Sequence, residues 1–360
     1  MSRVLTVQLP SPIRLCILVE DSLTSSQPKT ASCVVRFRPD DVVALLDSHS
    51  VGLDAAPWLG VEVAPPVVAT IADAVALGAN ALLIGIAPRG GGLPEEFRAV
   101  IRDALLAHLH VISGLHVFLA DDAEYAALAA SRGVELLDLR RPPDLLSLPP
   151  EQSTPWPGPV VHTVGSDCAV GKMTVSLLLA QALAARGWGA VMGATGQTGI
   201  LLTGWGIATD RVIADFGAGA THAIVEEGFR RGRCVVVEGQ GSIVHPAYSG
   251  VTMSLLHGAR ADALVLVHDP TRTTIRGYDV PIPPLPALIA LYEQLAAPVK
   301  PVRVVAIALH TGALDAGAAA AIRTAIARET GLPTVDPVRD GTDVLADAVQ
   351  RGLAECGVVR

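Results

Sequence analysis

The most constraining feature of this sequence is a short apolar run, Val160–Val164, that turns through Gly165-Ser166-Asp167-Cys168-Ala169-Val170-Gly171-Lys172-Met173-Thr174 and passes directly into a helical pattern, Val175–Arg186. A glycine-bearing turn between strand and helix aims several backbone N–H groups and the positive end of the helix at one point, and a lysine adds a mobile charge. The result is a cradle for a phosphate or diphosphate. Its spacing is unusual, because five residues separate Gly165 from Gly171 where four are usual; the strand before and the helix after identify the turn. The hydroxyl that would coordinate Mg²⁺ is displaced from Met173 to Thr174, a rotation of about 100° on a helix. That shift weakens the case for ATP-driven phosphoryl transfer. Cys168 lies near the helix N-terminus, where a thiol pKa is lowered, although a small residue also simply suits a tight loop.

The rest of the chain alternates strand-like and helical stretches. Before the loop, strands are expected at Ile13–Glu20, Cys33–Phe37, Ala81–Ala87, His110–Ser113 and Val134–Leu139, with helices at Asp40–Asp47, Val67–Gly78, Glu95–His108 and Ala120–Gly133. After it come strands at Ala190–Gly193, Cys234–Glu238, Ala263–Val267 and Val304–Ala308, and helices at Thr221–Arg231, Leu285–Ala296, Ala318–Arg328 and Val344–Glu355. Such alternation gives a mainly parallel sheet covered on both faces. Prolines at 142, 143, 149, 150, 155, 157 and 159 interrupt the text in the middle. The expected organisation is therefore an α/β chain with an N-terminal domain over 1–140, a proline-rich linker over 141–158 and a second domain over 159–360.

Composition narrows the function classes. Half of the 360 residues are apolar and 17% are charged, which supplies a substantial core, yet no run approaches the roughly 18 apolar residues of a membrane span. Gln8, Pro10, Pro12 and Arg14 interrupt any signal-peptide core, so a cytoplasmic location is expected. The five cysteines are scattered without a CxxC pair, which indicates neither a disulfide framework nor a zinc knuckle. A net charge of −8 with few aromatics argues against nucleic-acid binding.

Further candidates follow the strand ends. Glu238-Gly239-Gln240-Gly241-Ser242 closes a buried strand, where such folds place a metal ligand or base, and Gly196-Gln197-Thr198-Gly199, Asp210 and Asp215 precede it. His245-Pro246 and Ser249–Thr252 continue the same loop. His268-Asp269-Pro270 ends another strand with Arg272 and Arg276 just beyond, and an arginine fork suits a carboxylate or phosphate. In the first domain, Ala87-Pro88-Arg89-Gly90-Gly91-Gly92 and Ser113-Gly114-Leu115-His116 occupy equivalent positions.

The loop together with Glu238-Gly239-Gln240-Gly241 resembles the dethiobiotin synthetase branch of P-loop proteins, which share the five-residue gap and use the later glutamate in Mg²⁺ binding. A closer resemblance spans nearly the whole chain. Lys29-Thr30-Ala31, Gly85-Ile86-Ala87-Pro88, Ser113-Gly114-Leu115-His116, Asp167–Thr174, Gly196–Gly199 and Glu238–Ser242 look like the two-domain family containing the DgcN-type D-glutamate N-acetyltransferases. That resemblance implies a Rossmann-like N-terminal domain, a P-loop NTPase-like C-terminal domain, and acetyl transfer from acetyl-CoA to the amine of an acidic D-amino acid. The phosphates of coenzyme A would then lie on Gly165, Ser166, Asp167, Cys168, Ala169, Val170, Gly171, Lys172, Met173 and Thr174. Acetyl transfer needs a base and donors for the tetrahedral oxyanion. Glu238 and His245 are the candidate bases, and Lys172 or the N–H groups of Gly239–Ser242 the candidate donors. Gln197, Gln240, Ser242, Arg272 and Arg276 are the candidates for binding the amino acid. The alternative is an ATP- and Mg²⁺-dependent enzyme that activates a carboxylate or carbamate, with Thr174, Asp210 or Asp215, and Glu238 about the metal. A homo-oligomer is expected for an enzyme of this size.

Overall fold

A computed structural model describes residues 5–7, 10–24, 28–86, 92–144, 146–150 and 154–357. Contacts divide the chain into two compact units, one of Thr6–Arg141 with Ile200–Gly204, the other comprising Pro142–Gly199 and Trp205–Arg360 together with the N-terminal residues to Leu5.

The first unit is built on six parallel strands: β1 (Leu15–Leu18), β2 (Val42–Leu46), β3 (Val67–Val68), β4 (Ala81–Ile84), β5 (His110–Ser113) and β6 (Leu136–Asp138). Their order, β3-β2-β1-β4-β5-β6, is that of a Rossmann fold. All residues of β1 and β4 are buried, because helices cover both faces of a parallel sheet and the strands read as unbroken apolar runs. Phe97, Ile101 and Leu105 of the helix Glu96–Leu106 pack onto one face with Leu82, Ile84 and Val111.

Three expectations fail in this unit. Cys33–Phe37 is not a strand but the end of the helix Lys29–Phe37, whose Thr30, Ala31, Val34 and Val35 form one buried face. The run of Cys33, Val34 and Val35 resembles a strand locally, and the helical spacing of its buried residues overrides that preference. Asp40–Asp47 is not a helix; a single turn at Pro39–Asp41 leads into β2. Val67–Gly78, expected as one helix, is divided into β3 and the helix Ile71–Ala76, started by Thr70, whose side chain accepts from Asp73 N–H while Asp73 reciprocates. Residues 87–91 of the glycine run Ala87–Gly92 lie outside the described residues.

The second unit has β7 (Val160–Gly165), β8 (Ala190–Gly193), β9 (Cys234–Val237), β10 (Ala263–His268), β11 (Val304–Leu309) and β12 (Thr334–Val335) in the parallel order β12-β11-β10-β7-β9-β8. β7 is central, and the order reverses about it: β9 and β8 lie to one side, β10 to β12 to the other. The turns leaving β7, β9 and β10 therefore converge at one carboxyl edge, the place where open α/β sheets bind ligands. Among the described residues no helix is long and apolar enough to cross a membrane.

Candidate functional site

The turn after β7 delivers Lys172 as the first residue of the helix Lys172–Ala185, with Gly171 as its N-cap at φ +101°. That left-handed conformation favours glycine. Val175 N–H is bonded to Gly171 C=O at 2.9 Å, whereas the N–H groups of the first turn have no intrahelical acceptor and point out of the helix end. Lys172 folds back across the turn, its Nζ donating to Asp167 C=O at 2.7 Å, and the side chain is buried. Burial pushes its pKa down to about 8, against the pull of Cys168, Asp167 and Glu238. Gly239 explains how closely the neighbouring turn approaches: a Cβ there would sit 1.9 Å from Thr163 O and 3.0 Å from Lys172 Cδ.

Asp167 is fully buried inside the turn. Its Oδ1 accepts from Cys168 N–H at 2.6 Å, and its Oδ2 accepts from Arg272 Nη1 at 3.0 Å and Arg276 N–H at 2.9 Å. Arg272 also donates to Cys168 C=O and Ala169 C=O, at 2.8 and 3.0 Å, and its Nε lies 3.1 Å from Asp269. The loop is thus tied in shape by its own chain, and both guanidinium ends of Arg272 are engaged. Arg276 differs. Its backbone is anchored on Asp167 while the residue is exposed.

Glu238 follows β9 and is buried. Its Oε2 accepts from Thr195 N–H at 2.9 Å and Gly196 N–H at 3.2 Å, just ahead of the helix Gln197–Thr203, and its Oε1 accepts from Gln240 Nε2 at 3.2 Å. Burial raises its pKa to about 7 despite those donors and the charge of Lys172. Gly199 must be glycine here, since a Cβ would fall 2.4 Å from Glu238 Oε2.

His245 is buried, with its ring stacked on Tyr248 at 4.4 Å between centroids and edge-on to Tyr278 at 5.2 Å. Its Nδ1 accepts from Ala247 N–H at 3.1 Å, which places the proton of the neutral ring on Nε2. In that tautomer Nε2 is a donor. Tyr292, fully buried on the helix Leu285–Ala296, donates to Gly165 C=O at 2.7 Å and accepts from Ile243 N–H at 3.0 Å, so one phenol joins the β7 turn to the turn after β9. His268 bonds through Nδ1 to the Ser166 hydroxyl at 2.8 Å, and burial lowers its pKa to about 4.

The structure therefore brings Lys172, Glu238 and Gly239 together, and places His245, Arg272 and the Arg276 backbone about Asp167. Gln240 is tied inward, its amide also donating to Thr195 Oγ1 at 3.1 Å, and Ser242 is fully buried. Gln197 and Thr174 are half-buried, whereas Asp210 and Asp215 are exposed. Among the described residues two groups have His, Cys, Asp or Glu atoms close enough to share an ion, Asp167–Cys168–His245 and Glu20–Asp47–His49, and neither contains Glu238, Asp210 or Asp215. Sequence reading did not single out Thr195 or Tyr292. A tyrosine directly after the apolar run Leu288–Leu291 was the available signal for the latter, because a buried phenol needs a partner.

A family described as the P-loop domain of DUF1611, a domain of unknown function, matches residues 152–346, and the companion DUF1611 Rossmann-like domain matches residues 48–142. A D-glutamate N-acetyltransferase of Tritonibacter scottomollicae is 38% identical over 323 residues, covering 89% of this chain and 93% of that protein. Another, from a Pseudoalteromonas species, is 36% identical over 276 residues, covering 76% and 82%. The crystal structure of a DUF1611 family protein from Anabaena variabilis ATCC 29413 superposes with a TM-score of 0.90 at 38% identity, covering 94% of this chain and 99% of that one.

Proposed function

Because this chain belongs to the DUF1611 family, pairing its Rossmann-like and P-loop domains, we propose that it is an N-acetyltransferase that moves the acetyl group of acetyl-CoA onto the amine of an acidic D-amino acid such as D-glutamate. The activity for which the two relatives are named supports the reaction class. The observation in the molecule that carries the reading is a shaped anion cradle at Gly165–Thr174 with a buried lysine and, across Gly239, a buried carboxyl that titrates near neutrality.

The cradle takes phosphates of coenzyme A through the first-turn N–H groups and Lys172, a task that requires no phosphoryl transfer. Met173 in the place of the magnesium hydroxyl is then of no consequence. Burial outweighs the three N–H donors on the Glu238 oxygens and raises its pKa to about 7, which suits the carboxyl to carrying a proton at neutral pH. Glu238 takes the proton from the substrate ammonium and passes it to solvent, the free amine attacks the thioester carbon, and as the C–S bond breaks the second nitrogen proton passes through Glu238 to the coenzyme A sulfur, leaving the N-acetyl product and the free thiol. N–H groups beyond Gly239 or Lys172 Nζ stabilise the oxyanion; Gly239 N–H itself is bonded to Thr163 Oγ1 at 3.0 Å. An extended pantetheine arm separates diphosphate from thioester by about 15 Å on standard bond lengths, so Glu238 reaches the amine only if the arm folds back over the loop. The exposed side chain of Arg276 holds a substrate carboxylate at the rim.

Purified protein with acetyl-CoA and a panel of D- and L-amino acids, without ATP or Mg²⁺, tests the reading by thiol release. The expected result is release dependent on D-glutamate. No release with any amino acid, alongside ATP turnover in the presence of Mg²⁺, would leave the carboxylate-activating alternative standing. Glu238→Gln separates the arrangements: a fall in kcat supports the base, whereas a rise only in KM for acetyl-CoA places Glu238 on the phosphate side.

A further inference from the structure

His245 carries a hydrogen-bond donor that the fold buries, orients and leaves without an acceptor. The residue is 1% exposed, and its ring is held by Tyr248, Tyr278 and the Ala247 N–H. Nε2, which bears the proton, has no hydrogen-bond partner. It lies 4.0 Å from Asp167 Oδ1, too far for a bond, and faces the loop, with Asp167 and Cys168 offering atoms within 4.8 Å. Orphaned buried N–H groups are rare because burial removes the water that would otherwise satisfy them.

Two ligands are conceivable in front of such a group, a cation and an anion. Asp167, Cys168 and His245 form a metal-like trio by distance, but a cation needs the Nε2 lone pair, and that nitrogen is protonated while Nδ1 accepts from Ala247. An oxygen acceptor fits without changing the tautomer. The Asp167 carboxylate does not repel it strongly, being matched by Arg272 and the Arg276 N–H. Burial also lowers the His245 pKa, so the ring is neutral at physiological pH and binds by its N–H dipole rather than by charge.

We propose that His245 donates its Nε2–H to a phosphate oxygen of coenzyme A in the Gly165–Thr174 loop, as a residue that selects for the phosphorylated carrier. The inference rests on the reading that coenzyme A phosphates occupy the loop. It assigns His245 to binding, where sequence alone left it as a candidate base.

The test is the calorimetric Kd for coenzyme A of wild type, His245→Phe and His245→Gln, with thermal unfolding of each to confirm the fold. Phenylalanine keeps the stacking on Tyr248 and removes the donor; glutamine places an N–H near the Nε2 position. The expected result is about tenfold weaker binding for the phenylalanine variant and recovery to within about threefold for the glutamine variant. In the phenylalanine variant, KM for S-acetylpantetheine, which has no phosphate, should move far less than KM for acetyl-CoA. Equal binding by wild type and the phenylalanine variant overturns the inference, as does a glutamine variant no better than phenylalanine, or a stoichiometric metal in wild type that is lost from the phenylalanine variant. Wild type that binds no coenzyme A refutes the occupancy of the loop itself.

Discussion

The two sheets end in comparable carboxyl edges, yet they treat charge differently. At the edge of the first sheet, His49 lies 3.0 Å from Asp21 and 3.3 Å from Glu20, with its side chain 69% exposed. Asp47 there is buried, but its own turn satisfies it through His49 N–H and the Ser50 hydroxyl. At the edge of the second sheet, Asp167, Lys172, Glu238 and His245 are all withdrawn from water, and partners from distant turns hold the two carboxyls. Burying ionisable groups is costly unless each is paired, and it moves their pKa values toward those that chemistry at neutral pH requires. Two parallel α/β sheets supply two candidate edges, and the buried charge distinguishes them.

The largest expected effect on stability comes from Arg272→Ala. It leaves Asp167 buried with its strongest partner gone and frees two loop carbonyls, and unfolding in urea should show a loss of about 3–5 kcal/mol. A loss below about 1 kcal/mol would break the claim that this edge depends on its buried pair.

Glu238 yields a pH test of similar size. Its folded pKa of about 7 lies above the unfolded value of 4.5, so the folded state retains a proton that the unfolded chain has released. Its contribution is fully present below about pH 4.5 and is lost as pH rises through 7, amounting to about 3 kcal/mol over that window. Wild type minus Glu238→Gln should show that slope, and the limb of kcat/KM that rises near pH 7 should vanish in the variant. A smaller effect is expected for Tyr292→Phe, about 1–2 kcal/mol, because one hydroxyl joins Gly165 C=O to Ile243 N–H. The smallest belongs to the first edge: His49→Ala should change stability by less than about 0.5 kcal/mol, as exposed ion pairs contribute little. A larger loss would mean that the first edge, too, relies on its charges.

Much of this contrast could be read in the sequence where the information is local. β5 and β8 coincide with their expected ranges, since short apolar runs between turn residues leave few alternatives. The cradle was legible because ten consecutive residues carry it. The expectations for Cys33–Phe37 and β2 fail because apolar runs of that length suit helix and strand alike, and only packing decides. The site's internal pairing was illegible for another reason. Arg272 meets Asp167 from 105 positions away and Tyr292 meets Gly165 from 127, so nothing in either local stretch reveals the partner.

The central claim is that the second edge, through Lys172, holds the phosphates of coenzyme A. Its most direct test is equilibrium binding of coenzyme A to wild type and Lys172→Ala, without ATP or Mg²⁺. The account predicts tight binding by wild type and a loss of about 100-fold in the variant, about 2.7 kcal/mol. Equal affinity in the two proteins, or a wild type that binds ATP with Mg²⁺ but not coenzyme A, would contradict it.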